Sequence, residues 1–167
     1  MNFKNTSILL VILLLFNTNL YAGGPNDWTT YHSDNDIKIE YQYSNCEYPE
    51  FFNQEFVVLK ITNLTNKDLT VKWKNESWYD KKCINCSDDD LESFNETFVK
   101  ANDFVIGNCN DQNSLRIFSK FSDKIENMPG IKKIVKLTKF KLKNINISYE
   151  ENFYSVEKAK NMFDFNV

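Results

Sequence analysis

Apolar and polar residues alternate along much of the middle of the chain, which is the pattern of β-strands with one buried face. Residues 37–43 carry apolar side chains at every second position, and residues 56–62 are rich in the β-branched and aromatic types of a central strand. A polar cluster at residues 63–68 separates the second segment from another alternating one, residues 69–73. The sequence therefore predicts three strands here, the last two joined as a hairpin.

Further alternating segments follow at residues 97–100, 103–106, 114–121 and 134–147. In the longest of them, apolar residues face one side and the lysines at 139, 141 and 143 face the other, which is typical of an exposed or edge strand. About seven short strands separated by turn residues predict an all-β protein, an antiparallel β-sandwich of the immunoglobulin-like kind.

The start of the chain has the features of a cleavable export leader. Lys4 supplies a positive charge, residues 8–16 are uninterruptedly apolar, and a polar stretch then ends in Ala22. The apolar run is shorter than the about 20 residues that span a membrane. We expect cleavage after Ala22 or Gly23 and export to the periplasm or the extracellular space, with no stable membrane anchor afterwards.

The predicted organisation is therefore simple. About 145 residues follow the leader, which is enough for one domain with its own hydrophobic core. The predicted parts are a signal peptide at 1–22, a β-sandwich domain at 23–147 and a C-terminal tail at 148–167 that forms a short helix or is disordered.

Four cysteines follow the leader, and an even number in an exported chain predicts two disulfides. Cys83 and Cys86 are close enough to close a small ring, which leaves Cys46 to pair with Cys109. We favour this pairing, while the two crossed connectivities stay open. A closed zinc site is disfavoured because Cys46 and Cys109 are not a second matched pair. Thiol–disulfide exchange is disfavoured because the acidic run at residues 88–90 would raise the pKa of a nearby thiol.

The densest cluster of aromatic and polar residues spans residues 73–80. Trp78 and Tyr79, with Asp80 beside them, are the candidate binding surface, either a stacking platform for a sugar or a contact site for a protein. The alternative is that Trp73 lies in the core while Trp78 and Tyr79 close the end of the sandwich, and this is the favoured interpretation. The acidic residues 87–92 lack the glycine and spacing of a calcium-binding EF-hand, so a solvated loop is preferred there.

Other kinds of function find little support in the sequence. His32 is the only histidine and no Gly-x-Ser-x-Gly motif accompanies it, so we predict no catalytic residue. The chain has no phosphate-binding glycine loop, and we predict neither a cofactor nor a metal. The formal net charge of −3 argues against a nucleic-acid partner. Five Asn-x-Ser/Thr triplets are expected to arise by chance in a chain this rich in asparagine; they begin at Asn63, Asn75, Asn85, Asn95 and Asn146.

Several short segments occur in a fixed order along the chain: Tyr41-x-Tyr-x-x-Cys46, Val58-Leu-Lys-Ile-Thr-Asn63, Trp78-Tyr-Asp80, Cys83-x-x-Cys86, Gly107-Asn-Cys109 and Leu137-Thr-x-Phe-x-Leu-x-Asn-Ile145. In this order they resemble small exported proteins of unknown function from Bacteroidota. The resemblance covers most of the chain after the leader and implies a single-domain exported β-sandwich in a bacterium. It implies no activity and no site, and it makes the Asn-x-Ser/Thr triplets chance occurrences.

These patterns together predict an exported, non-catalytic β-sandwich with a structural or protein-binding role. Its partner is expected to be a protein, or else a glycan, at the cell envelope. The alternative is a carbohydrate-binding or other ligand-binding module in which Trp78 and Tyr79 stack on a glycan. The least favoured class is a thiol-redox or hydrolytic enzyme.

Overall fold

The computed structural model describes residues 27–87, 94–110 and 114–150. Within these ranges the chain forms nine β-strands and a short 3₁₀ turn at Ile125–Asn127. The strands are β1 (Thr29–Ser33), β2 (Ile37–Cys46), β3 (Gln54–Asn63), β4 (Leu69–Tyr79), β5 (Lys82–Cys83), β6 (Phe94–Val99), β7 (Phe104–Ile106), β8 (Arg116–Phe121) and β9 (Leu137–Tyr149). The predicted signal peptide and residues 151–167 of the predicted tail lie outside the described residues.

The strands form two antiparallel sheets that pack face to face, which confirms the predicted all-β sandwich. In the first sheet, β1, β2 and β3 are consecutive neighbours, and β7 and β8 both pair with the remaining edge of β3. In the second sheet, β9 pairs with β4 along its whole length, and β5 and β6 share the other edge of β4.

The described strands therefore occupy seven positions, four in the first sheet and three in the second. The seven predicted segments correspond to β2, β3, β4, β6, β7, β8 and β9, and the number of strands is nine because β1 and the two-residue β5 were not predicted. Two of the seven positions are each shared by two short strands. The four-plus-three division matches an immunoglobulin constant domain, but the strand order differs. The third immunoglobulin strand lies in the opposite sheet, whereas β3 is a neighbour of β2 here.

The break between β7 and β8 is local, because both flanking residues bind the same residue of β3. The backbone N–H of Gly107 donates to the Leu59 carbonyl oxygen (3.0 Å), and the Leu59 N–H donates to the Leu115 carbonyl oxygen (2.8 Å). The chain thus leaves the sheet after Gly107 and rejoins it at Leu115, both times opposite Leu59. In the second sheet, β5 and β6 pair with different parts of the same edge of β4, at residues 78–79 and 69–74.

The core between the sheets consists of the inward-facing residues that the alternation predicts. Fully burying one such aliphatic side chain stabilises the fold by roughly 1.5–3 kcal/mol. The buried residues are Ile37, Ile39, Val57, Leu59, Ile61, Leu69, Val71, Trp73, Val99, Leu115, Ile117 and Leu142. Tyr43, predicted on the same face as Ile37, is 50% exposed and packs against Tyr41 at the margin of the core.

The predicted hairpin between residues 56–62 and 69–73 is wrong, because β3 and β4 lie in different sheets. The chain turns at Asn63, whose buried amide Nδ2 donates to the carbonyl oxygens of Lys67 (2.8 Å), Val99 (3.2 Å) and Lys100 (3.0 Å). Its Oδ1 accepts from the N–H of Thr65 (2.9 Å). The hydrogen bonds of the Asn63 side chain therefore hold this corner together, whereas in a hairpin the paired backbones of the two strands would do so.

β9 has the predicted character of an edge strand, since within the described residues it pairs with β4 alone. Its lysines at 139, 141 and 143 are exposed. The Tyr31 hydroxyl of β1 accepts a hydrogen bond from the Leu142 N–H (2.7 Å) on this strand. β9 also continues through Tyr149, beyond the predicted domain limit at residue 147. Nowhere in the described ranges is there a helix long and apolar enough to cross a membrane.

Candidate functional site

Both disulfides lie at one end of the sandwich, which we call the disulfide end. Cys46 closes β2 and pairs with Gln54 at the start of β3, and Cys83 pairs with Trp78 near the end of β4. β9 begins at the same end, where Leu137 pairs with Tyr79. The pairing favoured from the sequence is the one present, with Cα–Cα distances of 5.4 Å for Cys46–Cys109 and 5.9 Å for Cys83–Cys86.

The Cys46–Cys109 disulfide ties the excursion between β7 and β8 to the outward face of the first sheet. Cys46, Phe56 and Val58 form a second buried apolar cluster there. The side chains packed around it are Trp28, Tyr48, Cys109 and Phe118. The first sheet is therefore covered on both faces near this end, and the outer cover is made of loops.

The loop at residues 47–53 is held by hydrogen bonds at both ends. The Tyr48 hydroxyl donates to the Cys109 carbonyl oxygen (3.0 Å), and the Tyr48 N–H donates to Asn53 Oδ1 (3.0 Å). Asn53 in turn donates from its backbone N–H and its Nδ2 to the Asp123 carboxylate, at 2.8 and 3.0 Å. Phe51, between these anchors, is nevertheless 73% exposed. The hydrogen-bonded loop therefore holds the Phe51 side chain in an exposed position.

The Cys83–Cys86 ring presents Ile84 in a comparable way. The Ile84 N–H donates to the Ser77 carbonyl oxygen (3.2 Å). The Asn85 side chain accepts from the Ser77 N–H and donates to the Asn75 carbonyl oxygen, both at 2.7 Å, so that it acts as a strand neighbour of β4. Ile84 itself is 64% exposed.

A continuous series of aromatic contacts, which we call the aromatic band, connects the two loops. Its ring centroids are separated by 5.9 Å for Phe52–Phe121, 5.3 Å for Phe121–Phe118 and 6.2 Å for Phe118–Tyr79. Phe118 also contacts Phe56 of β3 at 5.9 Å. Because Phe118 belongs to the first sheet and Tyr79 to the second, the band crosses between the sheets.

Each end of the band opens into a shallow apolar cavity. The first, which we call the Phe51 cavity, has a volume of about 590 Å³, and its lining residues are Pro49, Glu50, Phe51, Phe52, Gln54 and Phe121. The second, the Ile84 cavity, has a volume of about 420 Å³, and its lining residues are Tyr79, Lys82, Ile84, Phe118 and Val135. Concave apolar surfaces rimmed by a few polar groups are typical of binding sites.

The structure does not bring the predicted site residues Trp78 and Tyr79 onto one surface. The Trp78 ring lies under the ammonium groups of Lys139 and Lys141, at 4.7 and 5.9 Å from the ring centroid. The Tyr79 ring stacks on Phe118 instead, and its burial raises the pKa of the phenol to about 12. Neighbouring residues of a strand point to opposite faces, which explains the separation.

Asp80, the third predicted residue, lies in the tight turn between β4 and β5. Asp80 and Lys81 have φ values of +47° and +71°, the pair of left-handed conformations that a type I′ turn requires. Hydrogen bonds from the Lys133 ammonium and the Lys136 backbone N–H lower the pKa of the Asp80 carboxyl. Its side chain therefore connects this turn to the chain entering β9. Trp73 lies in the core, as the favoured interpretation predicts.

The four cysteines form the two disulfides, whereas the zinc interpretation requires them as thiolates. The structure also gives His32 a local contact, an exposed one at 2.8 Å to Asp34 at the turn between β1 and β2. Burial alone would raise the pKa of Asp34, but hydrogen bonds from the Ile37 N–H, from His32 and from the Asp36 N–H lower it. No group of three or more potential metal ligands occurs in the parts of the chain that the structure describes.

Three asparagines of the Asn-x-Ser/Thr triplets make hydrogen bonds that hold the fold. Asn63 is buried and Asn85 binds the β4 backbone, as described above. Asn75 accepts a hydrogen bond from the Trp73 indole N–H (2.9 Å). An attached glycan at Asn63 would be incompatible with the corner that its amide holds together.

Four residues that line the two cavities are not identified by the sequence pattern: Phe51, Phe52, Ile84 and Val135. A pair of phenylalanines in a polar loop after Pro49 is the one local indication of an exposed aromatic site. Ile84, between two cysteines, gave no such indication, because its exposure follows from the way Asn85 fastens the ring to β4.

Comparison with protein families, with curated proteins and with solved structures finds no match to this chain. The fold and the site define its class as a two-sheet antiparallel β-sandwich with two disulfides. The disulfides are compatible with an oxidising, exported location.

Proposed function

We propose that this protein is an exported, non-catalytic β-sandwich that binds a protein partner through the disulfide end, in the periplasm or outside the cell. The leader-like first 22 residues and the two disulfides support export. The absence of a recognisable catalytic motif in the sequence supports a binding role. The aromatic band and its two cavities are the proposed contact surface.

One observation carries the proposal. Of the described residues, the two most exposed large apolar side chains are Phe51 and Ile84, and the aromatic band joins their cavities. Both are presented by loops that a disulfide and hydrogen bonds hold in place. A rigid apolar surface loses little conformational entropy on binding, so its burial converts efficiently into affinity.

The proposal is tested by site-specific photocrosslinking in the cells that produce the protein. A photoreactive phenylalanine analogue is placed at residue 51, at residue 84, or at residue 64. Leu64 is the matched control, since it is 47% exposed but lies at the corner between β3 and β4, away from the disulfide end. We expect one discrete crosslinked species common to positions 51 and 84 and missing at 64. The same products at all three positions, or none at 51 and 84, would contradict the proposal.

A second candidate function is binding of an acidic glycan on the outward face of the second sheet. Trp78 offers an aromatic ring there, and the adjacent ammonium groups of Lys139 and Lys141 would pair with carboxylates of the sugar. Trp78→Ala discriminates the two roles of this ring. Loss of retention on an immobilised polyuronate with an unchanged melting temperature favours the glycan site, whereas a large drop in melting temperature favours a structural role.

A further inference from the structure

We propose that the pocket around Arg116, beside the Phe51 cavity, binds the terminal carboxylate of a polypeptide whose last residue is apolar. The inference rests on the proposed function and specifies the chemistry of its partner. Arg116 would take the carboxylate, and the Phe51 cavity would take the last side chain.

The guanidinium of Arg116 is held in place on the outward face of the first sheet. It lies over the Phe56 ring, with 4.7 Å between the guanidinium carbon and the ring centroid. Its Nη1 donates to the Tyr48 hydroxyl (3.2 Å) and to the Cys109 carbonyl oxygen (2.9 Å). The cation is therefore oriented before a ligand arrives, which lowers the entropy cost of binding.

The positive charge of Arg116 has no acidic partner among the described residues. The acidic side chain nearest along the paired strand, Glu55, is already bonded to Lys120 (3.2 Å) and to the Ser119 hydroxyl (2.8 Å). Both side-chain hydrogen bonds of Arg116 to described residues come from Nη1, so Nε and Nη2 keep their donors for a ligand in the pocket that Arg116 lines. A carboxylate that accepts from both would form the paired, charge-assisted contact that guanidinium groups favour.

The type of residue supports a carboxylate ligand. Arg116 is the only arginine among the 20 basic residues of the chain. A lysine would supply the same charge, but only arginine supplies a planar fork that matches a carboxylate. The position thus departs from the strong lysine preference of the rest of the sequence.

The neighbouring cavities match a carboxylate attached to an apolar group. The Arg116 pocket has a volume of about 330 Å³ and is lined by Tyr48, Phe51, Gln54 and Arg116. Phe51 and Gln54 also line the Phe51 cavity, so the two are adjacent. Glu50 at the rim of the Phe51 cavity would repel a second negative charge, which disfavours an acidic polymer. Capture of a chain terminus by oriented donors is an established mode of peptide recognition.

The test measures fluorescence anisotropy of labelled pentapeptides with the oxidised, leader-free protein. One peptide ends in Leu-Phe with a free carboxylate, the second is its C-terminal amide, and the third ends in Leu-Ser with a free carboxylate. We expect the amide to bind about tenfold more weakly than the acid, the effect of losing a charge-assisted hydrogen-bond pair. The serine peptide should lose a similar factor because it leaves the Phe51 cavity unfilled.

Arg116→Lys should weaken binding of the acid peptide and leave the amide unchanged. Lys120→Met, on the same strand but paired with Glu55, is the control and should alter neither. Because Arg116 also binds the Cys109 loop, Phe51→Ser provides a second variant, at a side chain that is 73% exposed and is therefore expected to contribute little to folding. It should weaken the phenylalanine peptide and leave the serine peptide unchanged.

Equal affinity for acid and amide, or no binding of any peptide, would overturn the carboxylate site. Tighter binding of polyglutamate than of the Leu-Phe peptide would overturn it in favour of an acidic polymer. If the crosslinks at residues 51 and 84 persist in Arg116→Lys while the peptides fail to bind, the proposed function stands without this site. If the crosslinks at residues 51 and 84 are already missing in the protein that keeps Arg116, the proposed function itself has failed.

Discussion

The Tyr79 hydroxyl donates a 2.6 Å hydrogen bond to the carbonyl oxygen of Phe118, while its ring stacks on the Phe118 ring. The contact joins β4 of one sheet to the edge strand β8 of the other. Tyr31 makes the reciprocal connection, from β1 of the first sheet to the Leu142 N–H of the edge strand β9. Each sheet thus uses a tyrosine to occupy backbone groups at the edge of its partner, which protects those edges from pairing with other chains.

Replacing Tyr79 with phenylalanine removes this hydrogen bond and keeps the ring stacking. We expect the free energy of unfolding to fall by about 1 kcal/mol, the typical net value of one such bond. Urea denaturation followed by circular dichroism measures the change. Tyr43→Phe, at a half-exposed ring, is the control and should have almost no effect. Equal destabilisation of both variants would show that the hydrogen bond from Tyr79 to Phe118 contributes no more stability than the hydroxyl of a half-exposed tyrosine.

The pKa of Tyr79 also predicts a dependence of stability on pH. Burial raises this pKa from 10.0 to about 12 in the folded protein, so the unfolded chain loses the phenol proton first as the pH rises. Stability contributed by the neutral phenol is therefore complete below pH 10 and is lost as the pH rises from 10 to about 12. The destabilisation caused by Tyr79→Phe should shrink over the same interval. A constant difference between wild type and variant would contradict the assignment.

Glycine is required at position 107, where β7 has ended and the chain leaves the sheet. A Cβ atom at this position would lie 2.4 Å from the Leu115 carbonyl oxygen. Gly107→Ala must therefore push apart the two bonds to Leu59, and we expect a loss of about 1–3 kcal/mol in unfolding free energy. Gly130→Ala is an informative comparison, because its φ of +85° is unfavourable for alanine while no atom lies within 4 Å of the added carbon. Its cost should be about 1 kcal/mol, and a larger loss than at Gly107 would argue against the steric explanation.

Removing the Asn63 amide should be among the most destabilising single polar changes in the chain. Asn63→Ala leaves the carbonyl oxygens of Lys67, Val99 and Lys100 without this donor inside a packed corner. A buried polar group that loses its partner costs about 1–3 kcal/mol, and we expect a loss in the upper part of that range or above it. Asn146→Ala on the exposed side of β9 is the control. Comparable chemical-denaturation midpoints for the two variants would refute the corner role.

The two disulfides should differ in their contribution to stability. Cys46–Cys109 closes a loop with a sequence separation of 63, against 3 for Cys83–Cys86. In the chain-entropy model these loops correspond to about 4 and about 2 kcal/mol. Cys46→Ser/Cys109→Ser should therefore lower the melting temperature more than Cys83→Ser/Cys86→Ser. The latter pair should instead act on partner crosslinking through Ile84. A larger thermal effect from the small ring would contradict the model.

The local part of this fold could be predicted from sequence, and the long-range part could not. Alternation identifies which side of a strand is buried, and in the predicted segments 69–73 and 114–121 the alternate residues Val71, Trp73 and Ile117 do lie in the core. Alternation does not specify which sheet a strand joins. The crossing after β3 depends on Asn63 reaching Val99, and no local pattern contains that contact.

In the candidate site, too, the local features could be predicted from the sequence and the long-range contacts could not. The cysteine pairing followed from spacing, because residues 83 and 86 are neighbours in the chain. The separation of Trp78 from Tyr79 also follows from strand geometry, once both are placed in β4. By contrast, the loop that lines the Phe51 cavity is held by the bond of Asn53 to Asp123 and follows the disulfide of Cys46 with Cys109, and both contacts join residues far apart in the chain. The Arg116 pocket depends on the same tertiary contacts.

Gly107 and Leu115 both bind Leu59 of β3, so the chain leaves the sheet and rejoins it opposite the same residue. The number of residues between Gly107 and Leu115 can therefore change without shifting the register of the sheet. Residues inserted between Gly107 and Leu115 would change neither the pairing of β7 nor that of β8 with β3. Doubling the length of such a loop costs only about 0.6 kcal/mol in closure entropy. The scaffold can therefore accommodate grafted sequences at this position, beside the disulfide end, and so acquire new specificities while its core stays the same.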